Sequence, residues 1–280
     1  MKRIATLIVF LYIIGFLSAQ QSINFPGSIK LKPISIEEQE ALKKLPELKL
    51  PASYKNKALP AVVDNSTQPY MRDPFQQHMY CCGQAAGIAY NYTYEIDRER
   101  DLPANINDNL YPTHSTWNWM NSGYGYYGVS FLHSFQILKQ CGCPNVTDYG
   151  GTLSYGGESR WMSGYDEYYN SMGNRINNAY RIDVRTPEGL NVFKHWIYDH
   201  LEEAAIGGVG SFYSQYMSAS NTLPAGTPEA GKYVLTSFGG SANHAQTIVG
   251  YNDIRPHSAK DRRPRAPDTA ISVVLDSRMV

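Results

Sequence analysis

The apolar residues change their spacing once along the chain, and that change restricts the fold class. Small residues Ala85, Ala86 and Ala89, followed by Tyr90 and Tyr94, predict a closely packed helix running from about Cys81 to Arg100. Phe131, Leu132, Phe135 and Leu138 predict a second over Val129–Gln140. Leu190, Phe193, Trp196, Ile197 and Leu201 predict a third over Pro187–Ala204. After Gly207-Gly208 the texture becomes strand-like. Val209, Phe212 and Tyr213, then Tyr233–Leu235, then Ala245–Tyr251 form short runs between Gly-rich turns. Helices first and strands later is the α+β pattern rather than alternating βαβ units. At 280 residues the chain makes one large or two small domains.

The ends differ from this middle. Lys2 and Arg3 precede an apolar run from Ile4 to Leu17, and Ser18-Ala19 follows. A basic start, a short apolar run and a small-residue exit predict a signal peptide over residues 1–19, cut after Ala19. The run is short for a bilayer span of roughly 20 residues. The expected location is therefore secreted, extracellular or periplasmic, with no stable membrane association after cleavage. Residues 20–58 are polar and read equally as a propeptide or a linker, with a helix start at Ser35-Ile36-Glu37-Glu38. Residues 255–280 hold six of the 25 Lys and Arg residues and three prolines, and the expectation there is a loose, disordered tail. Over the whole chain 25 Lys and Arg balance 25 Asp and Glu, which gives no electrostatic basis for a nucleic-acid partner.

One residue stands above this background. Cys82 opens the segment with the strongest helical pattern, and the free N–H groups of a helix start favour thiolate over thiol. A thiolate nucleophile needs a base that meets it in space. His244 is the best of the seven His, because it enters a buried-looking strand that can hold an imidazole rigidly. His195 and His200 fall on a helix as surface or packing groups, and His78 is a weak rival by sequence proximity alone. Cys81, Cys82 and His78 crowd together without usual zinc-ligand spacing, so no metal is expected. Trp117-Asn118-Trp119 reads either as the lining of a ligand groove or as aromatic core, the core reading being favoured. Asn65-Ser66-Thr67, Asn91-Tyr92-Thr93 and Asn145-Val146-Thr147 are formal glycosylation sequons.

The motifs together resemble the papain-like cysteine peptidases. Leu59-Pro60-Ala61-Val62-Val63-Asp64 is similar to the family's mature start, and Asn243-His244-Ala245 followed by Val249-Gly250-Tyr251 is similar to its His motif. Gln76 lies six residues before Cys82, where the family keeps an oxyanion-hole Gln, with Gln77 the alternative. Gly142-Cys143-Pro144 and Tyr149-Gly150-Gly151 resemble the inter-lobe region, and Tyr124, Tyr126 and Tyr127 the Gly-rich loop of the groove. The resemblance implies a two-lobe α+β fold over residues 59–254, one lobe helical and one β-rich. It implies a monomeric endopeptidase that acts on polypeptides without a cofactor, with Cys82, His244 and Gln76 as catalytic residues. Three departures stand against it. Gly83 follows Cys82 where the family has an aromatic residue. Met79 occupies the place of a family Cys, so one of Cys141 and Cys143 is expected to pair with Cys81 instead. No Asn-Ser-Trp stretch follows His244, and Asn252 is the one Asn after it. The last departure supports the alternative, a catalytically impaired papain-like scaffold acting as a secreted binding or structural protein. A Cys–His cell-wall amidase of another fold is a further rival.

Overall fold

The computed structural model describes residues 34–121, 128–153, 164–214, 220–222, 233–235, 242–254 and 271–276. Residues 1–19, where a signal peptide is expected, the Tyr124–Tyr127 segment and most of residues 255–280 lie outside the described residues. All described residues fall in one unit, Leu31–Val280.

The helical half starts from α1 (Ile36–Lys44), where the Ser35 hydroxyl accepts the Glu38 N–H at 3.1 Å, as the Ser-Ile-Glu-Glu motif predicts. The central helix follows the short strand β1 (Val62–Asp64). It has three consecutive parts: α2 (Cys82–Gln84), a π-helical stretch (Ala85–Tyr92) and α3 (Thr93–Arg100), closed by Asp101 in the left-handed region at φ 53°. Small side chains explain its close packing. A Cβ at Gly83 would run into the Val129 carbonyl oxygen, and one at Gly87 would sit 2.6 Å from Phe131 Cβ. Three further helices surround it, α4 (Thr113–Met120), α5 (Phe131–Cys141) and α6 (Tyr165–Met172).

The second half contains α7 (Pro187–Asp199) and seven strands: β2 (Asn178–Asp183), β3 (Gly210–Ser214), β4 (Ser220–Thr222), β5 (Tyr233–Leu235), β6 (His244–Ile248), β7 (Gly250–Asn252) and β8 (Ile271–Asp276). Thr186 caps α7 by accepting the Gly189 N–H, and Pro187 opens it. The helix ends five residues before the expected Ala204, because His200, Leu201 and Glu203 all take positive φ. That turn aims the buried His200 imidazole at Glu95 of α3, with Nε2 to Oε2 at 3.0 Å. Glu95 Oε1 also accepts the Val209 N–H at 2.9 Å, so the buried carboxylate is fully engaged.

The main sheet runs in the order β2-β8-β3-β6, all neighbours antiparallel. Six residues of the expected loose tail are corrected here. Ile271–Asp276 is an inner strand, paired with all six residues of β2 and with β3 at Ser211↔Val273. Val274 and Leu275 are fully buried. Six residues, four of them apolar, follow a basic, Pro-bearing stretch and pair between β2 and β3. The expected single strand Ala245–Tyr251 is also corrected. It breaks at Val249, whose carbonyl accepts the Asn65 N–H at 2.8 Å, and β7 leaves the main sheet to pair with β1. At Gly250 a Cβ would collide with the Val63 carbonyl, which is why the crossing needs glycine.

The main core lies between the central helix, α5 and the sheet, and includes Ile88, Tyr92, Phe131, Phe135, Leu138, Ala245 and Leu275. A second cluster joins α7 to β2 and β8 through Phe193, Trp196, Ile197, Ile182 and Val274. Residues 34–58 are built into the same body. Leu42 belongs to the main core, the Leu48 N–H reaches the Arg181 carbonyl at 3.0 Å, and Tyr54 packs edge-on against His195 at 5.1 Å. Two of the three sequons are structural. Asn65 donates to the Ile197 and Gly208 carbonyls, both at 2.8 Å, and Asn91 donates to Ser211 Oγ at 3.0 Å, so both amides are buried and engaged. None of the four cysteines is in a disulfide, and Cys143 Sγ packs against Ser115 Oγ at 2.9 Å, so the expected bridge to Cys81 is not formed.

Candidate active site

Cys82 is the first residue of the central helix. The loop before it is tight: Met79 has φ 56°, and the Cys81 thiol donates to the His78 carbonyl at 3.0 Å. Cys82 itself is half-buried. Burial pushes its thiol pKa up, while backbone N–H groups of Ala245, Gly83 and Cys82 itself pull it down. The negative charge of Glu38 adds a smaller upward push.

The start of the central helix also packs against the strand that carries His244. Ala245 follows His244, and His244 is the first residue of β6, paired with Ser214 of β3. The helix start at Cys82 and the strand start at His244 therefore lie side by side. Two hydroxyls fix that meeting. Ser211 Oγ and Thr247 Oγ1 both donate to the Ala86 carbonyl, at 3.2 and 3.1 Å. Ala86 lies in the π-helical stretch, where the shifted ladder leaves backbone acceptors open to outside donors. Neither hydroxyl stands out in the sequence, because nothing local marks a Ser or Thr that will cap another element's carbonyl. Burial holds the His244 imidazole below its ordinary pKa. Thiol and imidazole are thus both biased toward their neutral forms here.

Gln76 is exposed, and its amide donates to the Gln77 carbonyl at 3.4 Å. Gln77 is half-buried and donates to the Met79 carbonyl at 3.0 Å. Both belong to the loop that leads into Cys82. Asn252 closes the β1–β7 ladder opposite Val62, and its side-chain oxygen accepts the Ile254 N–H at 2.9 Å. It sits in a different sheet from His244 and serves its own turn. Gly83 has a steric origin, since the Val129 carbonyl occupies the space of any side chain there. Among the described residues no group of three or more His, Cys, Asp and Glu could hold a metal ion.

The N-terminal segment covers this region. The Ile34 N–H binds the Ala242 carbonyl at 2.9 Å, two residues before His244. Glu38 accepts a short hydrogen bond from the Tyr213 hydroxyl, which in turn contacts Ser130 Oγ at 3.1 Å and the Phe131 N–H at 3.3 Å. Tyr213 stacks on Phe131 with centroids 4.4 Å apart. One buried tyrosine therefore ties α1, α5 and β3 together beside Cys82.

Solved structures share this fold. Procathepsin B from Trypanosoma congolense aligns over 98% of this chain and 92% of its own, at 11% identity and a TM-score of 0.55. Digestive procathepsin L 3 of the Tenebrio molitor larval midgut aligns over 86% of this chain and 78% of its own, at 10% identity and a TM-score of 0.51. The fold is that of the papain-like cysteine proteases. No family sequence model and no curated relative matches the chain. In this papain-like body the helix that starts at Cys82 and the strand that starts at His244 pack on each other. Among the described residues no helix is long and apolar enough to cross a membrane.

Proposed function

We propose that the chain is a secreted cysteine endopeptidase with Cys82 as nucleophile and His244 as its base. The observation that carries this reading is the packing of the helix start Cys82–Gln84 against the strand that begins at His244. Proton transfer from thiol to imidazole gives the attacking thiolate. The thiolate adds to a peptide carbonyl, and the helix-start N–H of Cys82 with the Gln76 or Gln77 amide receives the oxyanion. His244 returns its proton to the leaving amine, and the C–N bond breaks to a thioester. Water, deprotonated by His244, then releases the acid and restores the thiol. No step calls for a metal or organic cofactor.

The neutral bias of Cys82 and His244 fits a covered, quiescent state. Ile34 and Glu38 reach this region, as a pro-segment would, and Glu38 opposes ionisation of the thiol. Secretion follows from the signal-peptide reading of residues 1–19, and the N-terminus of the exported protein is expected at Gln20.

The test is cleavage of unfolded casein and dipeptidyl fluorogenic substrates by the full chain under thiol, after mild acid exposure to release the cover. Thiol-dependent cleavage that disappears in Cys82→Ala and in His244→Ala supports the reading. Cleavage that survives Cys82→Ala overturns it. The second reading, a catalytically impaired scaffold, draws on Asn252, whose side chain serves its own turn rather than His244. Slow, unselective alkylation of all four cysteines by iodoacetamide favours that scaffold, and fast selective alkylation of Cys82 favours the peptidase.

A further inference from the structure

The N-terminal segment touches the rest of the body in two different ways. Residues 34–38 stay half-buried or exposed. The Ile34 N–H binds the Ala242 carbonyl and Glu38 accepts from the Tyr213 hydroxyl, while Ile36 between them is 74% exposed. From Leu42 onward the segment is built in. Leu42 is 2% exposed in the main core. Residues 45–48 then cover the outer edge of β2, the end strand of the main sheet. Arg181 of β2 donates its N–H to the Pro46 carbonyl at 2.9 Å, and its own carbonyl accepts the Leu48 N–H at 3.0 Å. The Arg181 guanidinium donates to the Leu45 carbonyl at 3.2 Å and to Glu47 at 2.9 Å.

The end of the segment holds a turn on which the sheet depends. His200, Leu201 and Glu203 all have positive φ, a conformation that costs free energy in residues other than glycine. Tyr54 is 3% exposed, and its hydroxyl accepts the Glu203 N–H at 2.7 Å. Lys57 Nζ lies 2.7 Å from Asp199 Oδ2, on a carboxylate that is itself buried. Taking Lys57 away would leave that buried charge without its ammonium partner, which is strongly destabilising. The same turn aims His200 at Glu95, and the chain then runs through Val209 into β3, which pairs with β6 and so with His244. Loss of residues 34–58 would therefore bare a sheet edge, open the core at Leu42 and release the turn.

We propose that residues 42–58 stay in the working protein as a tether, and that residues 34–38 are a lid beside Cys82 that lifts and settles again without being excised. The lid role rests on the peptidase reading, and retention of the tether does not. The first helix lets the two parts separate. With nine residues α1 is too short to hold itself in water, so its first turn unravels once its contacts are lost while Leu42 stays packed. Because the lid remains attached, its return is intramolecular and does not weaken with dilution.

The experiment uses the full chain carrying Cys82→Ala, with the recognition sequence of a site-specific protease inserted after Ala58. After cutting, the N-terminal piece should co-elute with the body in size exclusion at neutral pH and separate only in denaturant. A piece that leaves while the body stays folded overturns the tether. In the uncut Cys82→Ala chain the Ile34 and Glu38 amides should exchange hydrogen about tenfold faster than those of Leu48 and Tyr54. One common rate over residues 34–57 overturns the lid. In the chain that keeps Cys82, Ser35→Ala removes the cap of the first turn, and iodoacetamide should then alkylate Cys82 about fivefold faster. An unchanged rate also overturns the lid. A chain that keeps its tether but cleaves no casein in any form counts against the peptidase reading alone.

Discussion

Replacing Asp97 with Asn should stabilise the protein, by an amount that depends on pH. Asp97 lies on α3, is 1% exposed, and neither carboxylate oxygen has a hydrogen-bond partner. Burial pushes its pKa from 3.8 to about 8, with Arg100 pulling modestly the other way. Arg100 is itself engaged with the Tyr111 hydroxyl at 3.2 Å and the Gly173 carbonyl at 2.9 Å. Tyr92, Tyr111 and Cys143 also face this pocket, and all three are held protonated by burial. A carboxyl whose folded pKa lies above its unfolded value binds its proton more tightly when folded. Its effect on stability is therefore absent below about pH 4 and grows as a penalty until pH reaches the folded value near 8. At pH 7 the unfolded chain has ionised about three units above its own pKa, and each unit is worth about 1.4 kcal/mol, which sets an upper bound of about 4 kcal/mol. Relaxation around the carboxylate lowers this to about 2–4 kcal/mol. Asn has nearly the same shape and no proton to lose. Urea unfolding of Asp97→Asn and its parent, both in Cys82→Ala to prevent self-cleavage, should give equal stabilities at pH 4. The gap should open steadily to pH 8. A gap of constant size across pH, or an Asn variant less stable at pH 7, would refute the reasoning.

Three further outcomes are expected. Gly83→Ala should lower stability by about 1–3 kcal/mol, since the new methyl group meets the Val129 carbonyl, and a thermal melt reads it directly. Thr247→Val should cost about 1 kcal/mol by denaturant unfolding, because one of the two hydroxyls on the Ala86 carbonyl is lost while Ser211 keeps the other. Glu38→Gln removes the charge that pushes the Cys82 thiol up, so iodoacetamide should alkylate Cys82 about threefold faster at neutral pH, and an unchanged rate would remove Glu38 from the site.

The parts of the fold legible in the sequence are those set by neighbours along the chain. Helical spacing located α5 and α7, the Ser35 cap marked the start of α1, and small residues after Cys82 marked a helix in close contact. These features are local, because a helix satisfies its own backbone within a few residues. The helix start at Cys82 and the strand start at His244 were legible for the same reason, since each element's pattern is local.

What only the tertiary structure decided are choices between distant partners. Ile271–Asp276 became an inner strand because β2 and β3 offered it two unpaired edges, and the basic, proline-bearing residues around it hid that run. The break at Val249 follows from Asn65 taking its carbonyl, which sent Asn252 into a ladder with Val62 and away from His244. Trp117 and Trp119 stand two residues apart, yet helix geometry and the surrounding packing bury one and expose the other. A strand's pairing and a side chain's burial depend on surfaces made by residues far away in sequence, so a local pattern can propose an element but cannot choose what it packs against.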